Sequence, residues 1–517
     1  CSYGNECDLT MPEILDYYGR DAGTRAIMMQ TESFKDPAAF LDVASRITPH
    51  KPILALKAGR TREGSIAVSS HTGTLVDQAA MATAMYRKAG VVEFHDSDEM
   101  VKAAIAFSTQ DPPRGKRLGL VTNTGGPGIQ MVDEAMDRGL VLARWSDAGR
   151  ERLRASLYPE ASVGNPVDVV ATGGPDHYFA AIDTLLQEDG VDMVLIFFVT
   201  APFVDLDAIA ARIKEATSTS EKPVAMVVET SSKWYRLMDL LRASGMPVYQ
   251  FPEDGARALA SMARYAELRD RPHEDPPDLG VDRAAAEAIV RRHQSKNAFI
   301  PQLDAFEILQ AYGVPVPRMV GLAAEDEMAS ETLSDLESAA QTVGFPCVLK
   351  ADATDLVHKS DDGGVILGIG DMDALRIAWN GMRGRLAGKK ARYLLMEQKA
   401  PGTEIIIGST AAPGLGNLIM FGLGGVFVEV MKDVVVAVPP LSRPEAWEML
   451  RGIKGFPILE GVRGRPGVDL AALADLLMRI SRLAADFPGI VEMDLNPIIA
   501  YPAGALPVAV DVRMKLR

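Results

Sequence analysis

Runs of apolar residues alternate with amphipathic stretches through the first half of the chain. Apart from Arg117 at the start of one run, these runs carry no charge before their final residue, a pattern typical of strands buried on both faces of a parallel sheet. They lie at 26–31, 52–57, 117–123, 193–199, 223–229 and 247–251. Helical spacing between them predicts helices near 36–47, 76–89, 129–138, 206–217, 233–244 and 254–268. This alternation predicts two doubly wound α/β domains, 1–114 and 115–270.

The second half begins differently, because residues 271–290 open with a polar, proline-rich segment that we interpret as a linker. A third unit, 291–517, starts with a helix at 303–312 that ends before Gly313. Its later part is rich in strands, predicted at 393–399, 404–408, 421–429, 492–497 and 508–511.

One stretch of the third unit, 348–365, carries residues suited to phosphate chemistry. A short apolar run ends in Lys350, a polar loop with His358 follows, and the loop closes on two glycines. A lysine that leaves a strand suits phosphate binding, and a neutral imidazole is a good nucleophile toward phosphorus. The alternative is a surface turn between two strands, with His358 solvated.

A second histidine, His71, lies in the segment Ser69–Thr74, directly before a predicted helix. The free N–H groups and the dipole of a helix N-terminus favour an anion at that place. The alternative is a capping turn only. The turn 124–128, rich in glycine and also followed by a predicted helix, is a second and weaker candidate anion site.

Near the end of the chain, strand alternation places Glu492, Asp494 and Asn496 on one face and apolar residues on the other. Carboxylate and amide oxygens are hard ligands that suit magnesium bound together with phosphates. A polar, half-exposed strand face is the alternative.

Charge and cysteine content limit the functional class. The net charge of −15 argues against general nucleic-acid binding. No apolar run reaches the roughly 20 residues of a membrane helix. Cys1, Cys7 and Cys347 have no metal-like spacing and are interpreted as reduced thiols of a cytoplasmic protein. Because the chain starts at Cys1, we expect that an N-terminal portion is missing.

Seven short motifs occur together in the order found in one enzyme family. They are Ser2–Asp8, Ser70–Gly73, Asn123–Gly128, Asn165–Asp168, His358–Val365, Phe421–Gly425 and Asp494–Pro497. On these motifs the whole chain resembles the nucleoside-diphosphate-forming (ADP-forming) acyl-CoA synthetases, relatives of succinyl-CoA synthetase. The resemblance implies two flavodoxin-like domains followed by an ATP-grasp unit of two subdomains. The family's leading CoA-binding domain would lie before Cys1.

The resemblance also implies roles for individual residues. His71 matches the histidine that is phosphorylated, Glu32 the glutamate that orients it, and His358 a second histidine that carries phosphate from the nucleotide. The implied phosphate-binding residues are Ser70, Thr72, Gly73, Asn123, Gly125 and Gly126. The implied nucleotide-binding residues are Lys350, Gln398, Lys399 and Glu404. The implied magnesium ligands are Asn496 and Asp511, with Asp494 as a weaker third.

The implied reaction converts a small carboxylic acid, CoA and ATP to acyl-CoA, ADP and phosphate, reversibly, with Mg²⁺. Phosphate would pass from ATP to His358, to His71 and then to the acid. We expect a cytoplasmic homo-oligomer with no nucleic-acid or membrane partner. Two alternatives remain: an ATP-grasp ligase that forms acyl phosphate without phosphohistidine, and a regulatory relative that binds nucleotide or acyl-CoA without full turnover. The motifs do not identify the acid.

Overall fold

The computed structural model describes residues 4, 6–60, 78–200, 204–229, 235–294, 298–322, 333–352, 364–386, 392–425, 433–464 and 466–517. Contacts divide the chain into two units, Cys1–Arg271 and Pro272–Arg517. Each unit is described by itself below.

The first unit alternates strands and helices. Its described strands are β1 (Ile27–Thr31), β2 (Ile53–Lys57), β3 (Val92–Phe94), β4 (Arg117–Thr122), β5 (Val141–Leu142), β6 (Val167–Asp168), β7 (Met193–Val199), β8 (Val224–Glu229) and β9 (Val248–Tyr249). Its described helices are α1 (Met11–Arg20), α2 (Pro37–Ile47), α3 (Gln78–Ala89), α4 (Ser97–Thr109), α5 (Gly125–Asp137), α6 (Asp147–Ser156), α7 (Pro175–Gln187), α8 (Leu206–Thr217), α9 (Tyr235–Arg242) and α10 (Pro252–Asp270).

The described strands of this unit form two parallel sheets. The first has the order β1-β2-β3, and the second has the order β5-β4-β7-β8-β9 with β6 also beside β4. Parallel pairing explains the uncharged runs, because helices cover both faces of such sheets. The predicted α/β class with parallel, doubly wound sheets is confirmed.

The apolar core of the first unit continues from one sheet to the other. Leu54 and Phe94 of the first sheet share a buried cluster with Leu120 and Phe197 of the second. Helices α4, α5 and α10 contribute to the same cluster, with α10 packed against both α4 and α5. The two sheets are therefore held together by common apolar packing.

The second unit is mostly antiparallel. Its described strands are β10 (Met319–Leu322), β11 (Cys347–Asp352), β12 (Val365–Ile369), β13 (Arg392–Glu397), β14 (Thr403–Ala412), β15 (Gly416–Leu423), β16 (Val434–Ala437), β17 (Ile490–Ala500), β18 (Val508–Ala509) and β19 (Arg513–Leu516). Its described helices are α11 (Arg283–His293), α12 (Gln302–Ala311), α13 (Leu333–Val343), α14 (Met372–Arg385), α15 (Arg443–Arg451), α16 (Phe456–Glu460) and α17 (Leu470–Asp486).

These strands form two antiparallel sheets. The smaller sheet has the order β10-β13-β11-β12, and α13 and α14 pack against it. The larger has the order β16-β15-β14-β17-β18, with β19 also beside β17, and packs against α11, α12, α15 and α17. One face of the smaller sheet also contributes Val348, Leu394 and Met396 to the core of the larger. Two packed antiparallel sheets agree with the predicted ATP-grasp unit of two subdomains.

Predicted boundaries differ from the structure at α5 and at the linker. Helix α5 begins at Gly125, so the predicted turn 124–128 is largely the first helical turn. Pro127 fits there, because the first helical N–H groups have no partner within the helix. The predicted linker 271–290 is also too long, since α11 begins at Arg283 and buries Ala286 and Ile289 in the core of the second unit. No helix among the described residues is both long and apolar enough to cross a membrane.

Candidate active site

The two predicted histidines, His71 and His358, lie outside the described residues, as do Ser70, Thr72 and Gly73. Their roles therefore stay predictions. The remaining candidate residues are described, and they fall at the ends of β1 and β4 in the first unit and around one cavity in the second.

The second unit contains a cavity of about 540 Å³ between its two sheets. The smaller sheet contributes Lys350 on β11 and Glu397 at the end of β13, and the larger sheet contributes Glu404 on β14 and Asn496 on β17. The predicted site residues that line this cavity are Lys350, Gln398, Lys399, Glu404, Asn496 and Asp511. The fold thus brings together residues that are up to 161 positions apart in sequence.

Lys350 is only 8 % exposed although it carries a charge. Its Nζ donates to Oδ1 of Asp511 at 2.7 Å and to the backbone oxygen of Val510 at 2.8 Å. A buried ammonium needs such partners to compensate for lost hydration. The lysine predicted to bind phosphate and the aspartate predicted to bind magnesium are therefore an ion pair in the structure.

Two residues of this region, Gln302 and Asp352, were not predicted from the sequence. Gln302, at the start of α12, donates from Nε2 to Oδ1 of Asp511 at 2.6 Å. Its backbone N–H donates to Oδ2 of Asp352 at 2.6 Å, and Asp352 is the last residue of β11. The signal that could have found Gln302 is a polar residue on the helix face that buries Ala305, Phe306 and Leu309.

The segment after β13 forms one wall of the cavity. Oε1 of Gln398 accepts the backbone N–H of Gly368 at 2.6 Å, which ties this segment to β12. Nζ of Lys399 pairs with Glu397 at 3.0 Å. Burial acts to raise the pKa of Glu397, but hydrogen bonds from Lys399 and Arg318 hold it below its usual range. Glu397 is thus anionic at neutral pH and fixes Lys399 at the cavity wall.

The close packing of Glu404 explains why two positions of the motif Phe421–Gly425 are glycine. Glu404 has an exposed side chain, and its backbone oxygen accepts the N–H of Gly424 at 2.8 Å. A Cβ on Gly424 would lie 3.0 Å from the carbonyl carbon of Glu404, and one on Gly425 would lie 3.0 Å from its carboxylate. The glycines therefore permit a close approach that leaves the Glu404 carboxylate at the cavity.

The candidate cation ligands lie on the larger sheet and on the segment just before β19. Met493 and Leu495 are buried in the core, whereas Asp494 and Asn496 lie on the opposite face of β17, as the alternation predicted. Burial, and then the nearby Asp511, raise the pKa of Asp494.

Asn496 and Asp511 line the cavity but Asp494 does not. Within the described residues no group of three or more His, Cys, Asp or Glu side chains is arranged to hold a metal ion. Magnesium needs fewer protein ligands, because phosphates and water complete its coordination, so an amide oxygen and a carboxylate fit it.

In the first unit, Glu32 follows β1 and has an exposed side chain. Its backbone oxygen accepts Nζ of Lys57 at 2.7 Å, and Lys57, the last residue of β2, is only 2 % exposed. No sequence pattern predicted this contact, because it joins the ends of two neighbouring strands. The lysine fixes the backbone at Glu32 and leaves its carboxylate outside the core.

The second candidate anion site of this unit is the N-terminus of α5. Gly125 and Gly126 form its first turn, and a Cβ on either would meet no atom within 4 Å. Asn123 is buried, and its side-chain amide both donates to and accepts from the backbone of Val199. Asn123 therefore joins the ends of β4 and β7, and its role in phosphate binding stays a prediction.

Two antiparallel sheets around a cavity with a buried lysine and oxygen ligands define an ATP-grasp protein, and two parallel-sheet domains precede it in the chain. Family models agree with this class. They match the ATP-grasp domain at 291–516, the succinyl-CoA ligase like flavodoxin domain at 1–107 and the Ligase-CoA domain at 118–269. The chain belongs to the family of ADP-forming acid–CoA ligases, as the sequence motifs predicted.

Three relatives show the range of this family. The chain is 32 % identical to an ADP-forming acetate–CoA ligase I of Archaeoglobus fulgidus, over all of this chain and 73 % of the relative. It is 29 % identical to an ADP-forming 4-hydroxybutyrate–CoA ligase of Nitrosopumilus maritimus, over all of this chain and 74 % of the relative. It is 32 % identical to a trans-feruloyl-CoA synthase of an unknown prokaryotic organism, over 99 % of this chain and 72 % of the relative.

Proposed function

We propose that this protein converts a small carboxylic acid, CoA and ATP to acyl-CoA, ADP and phosphate through phosphohistidine and acyl-phosphate intermediates. The observation that carries the proposal is the cavity of the second unit, where Lys350, Glu404 and Asp511 converge from both sheets. Phosphoryl transfer depends mainly on positioning and on neutralising charge, and this set of side chains supplies both.

The proposed steps use histidine as the phosphate carrier. An imidazole nitrogen of His358 attacks the γ-phosphorus of ATP, and ADP leaves. The phosphoryl group then passes to His71, oriented by Glu32, and next to a carboxylate oxygen of the acid. The thiol of CoA attacks the acyl carbon, and inorganic phosphate leaves with the thioester formed. Each transfer is reversible, because the bonds exchanged are of similar energy.

The chain's residues have distinct tasks in this scheme. Lys350 binds the nucleotide phosphates, and Gln398 and Lys399 contact the adenine base. Glu404 accepts hydrogen bonds from the ribose hydroxyls. Asn496 and Asp511, with Asp494 nearby, would hold Mg²⁺, which supplies charge neutralisation at the phosphates when it is bound. The segment Ser70–Gly73 and the helix N-terminus at Asn123–Gly126 would hold the phosphoryl group at His71.

The acid substrate stays open between short aliphatic and aromatic acids, since the relatives named above act on both kinds. We propose a cytoplasmic location, because Cys7 and Cys347 are free thiols, as expected in a reducing compartment. We also propose a homo-oligomer. Exposed Val101 and Ile105 on α4 and Ile129 on α5 give the first unit apolar surface that a second copy could cover.

Labelling with γ-labelled ATP tests the relay. We expect acid-labile, base-stable label on the protein that is lost in His358→Gln and is confined to His358 in His71→Gln. In the reverse direction, labelled phosphate with acetyl-, 4-hydroxybutyryl- or feruloyl-CoA should still label His358→Gln at His71. His95→Gln, a change of an exposed turn residue, is the matched control and should label normally. ADP formation that depends on acid and CoA but gives no protein label would refute the relay and favour direct formation of acyl phosphate. Label without acyl-CoA formation for any acid would instead favour a regulatory relative.

A further inference from the structure

Gln302 is a buried amide whose orientation is fixed by its neighbours. It is only 2 % exposed, and Nε2 donates to Oδ1 of Asp511 at 2.6 Å and to the backbone oxygen of Val512 at 3.3 Å. Both neighbours are acceptors, so the NH₂ group and not the oxygen must face them. The amide therefore acts on Asp511 as a donor.

The hydrogen bonds to Asp511 are unevenly distributed between its two oxygens. Oδ1 receives both Nζ of Lys350 and Nε2 of Gln302. Oδ2 has no hydrogen-bond donor among the described residues, and the side chain of Asp511 lines the cavity. One oxygen is thus held by the protein while the other is left for a ligand.

Gln302 is also a poor choice for stability alone. Its Oε1 is buried and has no hydrogen-bond partner in the described part of the chain. An unpaired buried acceptor destabilises a fold, and an apolar side chain of the same length would remove it. A role in holding Asp511 explains why an amide occupies a helix face that is otherwise apolar.

We propose that Gln302 is a positioning residue for the cation site, holding Oδ1 of Asp511 so that Oδ2 is available to Mg²⁺. The proposal rests on the proposed function, in which Asp511 is a magnesium ligand and Lys350 binds phosphate. When Lys350 engages phosphate, Asp511 loses one of its two donors, and Gln302 then keeps the carboxylate in place. Groups that orient metal ligands in this way contribute strongly to metal affinity.

Mn²⁺ binding tests the proposal without an activity assay. In the presence of ADP, Gln302→Met should bind Mn²⁺ about 10- to 100-fold more weakly, measured by electron paramagnetic resonance of the free ion. ADP affinity without metal should stay within about threefold of the original. If Gln302→Met does not fold, Gln302→Asn, which keeps the amide but shortens its reach, gives the same comparison.

Asn417→Leu is the matched control. Asn417 is also a buried amide of the second unit, with Nδ2 bonded to backbone oxygens of Ala484 and Phe487 and its Oδ1 unpaired in the described chain. It should leave Mn²⁺ binding unchanged, and an equal loss in both variants would overturn the proposal. Asp511→Asn distinguishes failure of the cation site from failure of the role of Gln302. If it abolishes Mn²⁺ binding while Gln302→Met does not weaken it, only the role of Gln302 is wrong. If Asp511→Asn has no effect, the proposed cation site itself is wrong.

Discussion

Replacing Lys350 with methionine tests the centre of the proposed nucleotide site. Methionine has nearly the same length but neither charge nor donors, so the change removes two hydrogen bonds without leaving a large cavity. In the structure these bonds go to Asp511 and to the backbone of Val510. The substitution therefore affects both the stability of the second unit and its affinity for nucleotide, and the two effects can be measured separately.

The loss of stability should be moderate. The Asp511 side chain is 26 % exposed and keeps its hydrogen bond from Gln302, so its carboxylate is not left without a partner. Loss of one partner of a partly buried acceptor costs about 1–2 kcal/mol. For a unit of this size that lowers the thermal midpoint by roughly 2–8 °C.

The loss of nucleotide affinity should be the larger effect. A hydrogen bond between charged groups contributes about 1.5–3 kcal/mol, so ATP should bind roughly 10- to 100-fold more weakly. Saturating ATP at about 100 times its dissociation constant stabilises a protein by about 2.7 kcal/mol, and in Lys350→Met at the same ATP concentration this gain should fall to about 0.4–1.4 kcal/mol. Thermal unfolding with and without Mg²⁺ and ATP measures both effects in one experiment.

Arg482→Met is the matched control for this experiment. Asp486, like Asp511, accepts from one cation and one neutral donor, here Nε of Arg482 at 3.0 Å and the hydroxyl of Tyr312 at 2.8 Å. Arg482→Met should lower the thermal midpoint by a similar amount but leave the stabilisation by ATP intact. If Lys350→Met keeps the full gain from ATP, Lys350 does not bind the nucleotide phosphates and the reasoning fails.

Three further changes test other features of the structure. Burial and the neighbouring Asp511 raise the pKa of Asp494, so ionisation of Asp494 opposes folding. Asp494→Asn should therefore raise the thermal midpoint at pH 7, and the increase should shrink as the pH falls through the pKa that Asp494 has in the folded protein. A lower midpoint at pH 7 would contradict this. Burial raises the pKa of Cys347 to about 11, so a thiol reagent at pH 8 should label exposed Cys7 and reach Cys347 only after unfolding, as mapped by mass spectrometry. Gly313 has φ +69°, where a side chain is strained, and a Cβ there would collide with the guanidinium of Arg479. Gly313→Ala should therefore destabilise the second unit by about 1–3 kcal/mol in thermal unfolding, and an unchanged midpoint would show that this turn relaxes easily.

The sequence predicted best those elements whose burial is uniform. Strand β7 occupies Met193–Val199 as predicted, and the residues from Met193 to Phe198 are fully buried. In such a strand the apolar run and the structural element have the same limits, because both end where the sheet meets polar surroundings. Helix α8 was likewise predicted with its structural limits, since Asp205 caps its N-terminus through two backbone N–H groups.

The prediction was least accurate where proline and glycine do not end an element. Strand β17 was expected at 492–497 but continues to Ala500, past Pro497. Its pairing with β14 shifts register at this point, with Ile405 opposite Ile498 and Ile407 opposite Leu495. A bulge of this kind lets a strand contain a proline that donates no hydrogen bond. Proline and glycine thus end an element in one segment but lie within an element in another, depending on the partner strand.

The candidate site shows the same limit of local patterns. Lys350 could be predicted from the stretch 348–365 and Asn496 from a strand alternation, whereas Asp511 was implied only by the resemblance to the family. Gln302 could not be connected to them, because its hydrogen bond to Asp511 spans 209 residues. A polar residue on an apolar helix face indicates that a buried partner exists, but only the packing of α12 on the larger sheet identifies which one.

The ion pair between Lys350 and Asp511 shows how one cavity can contain several charges and still be stable. A buried charge is costly without a partner, and each of these residues supplies the partner of the other. If nucleotide phosphates bind Lys350 while a cation binds Asp511, both charges change partner and neither is left unpaired. The cation would also reduce the repulsion between Asp511 and Asp494, which helps to raise the pKa of Asp494 in the structure. Phosphate and metal should therefore bind cooperatively, because phosphate alone draws Lys350 away from Asp511 and leaves that carboxylate with Gln302 as its donor, a loss that a cation at Asp511 compensates.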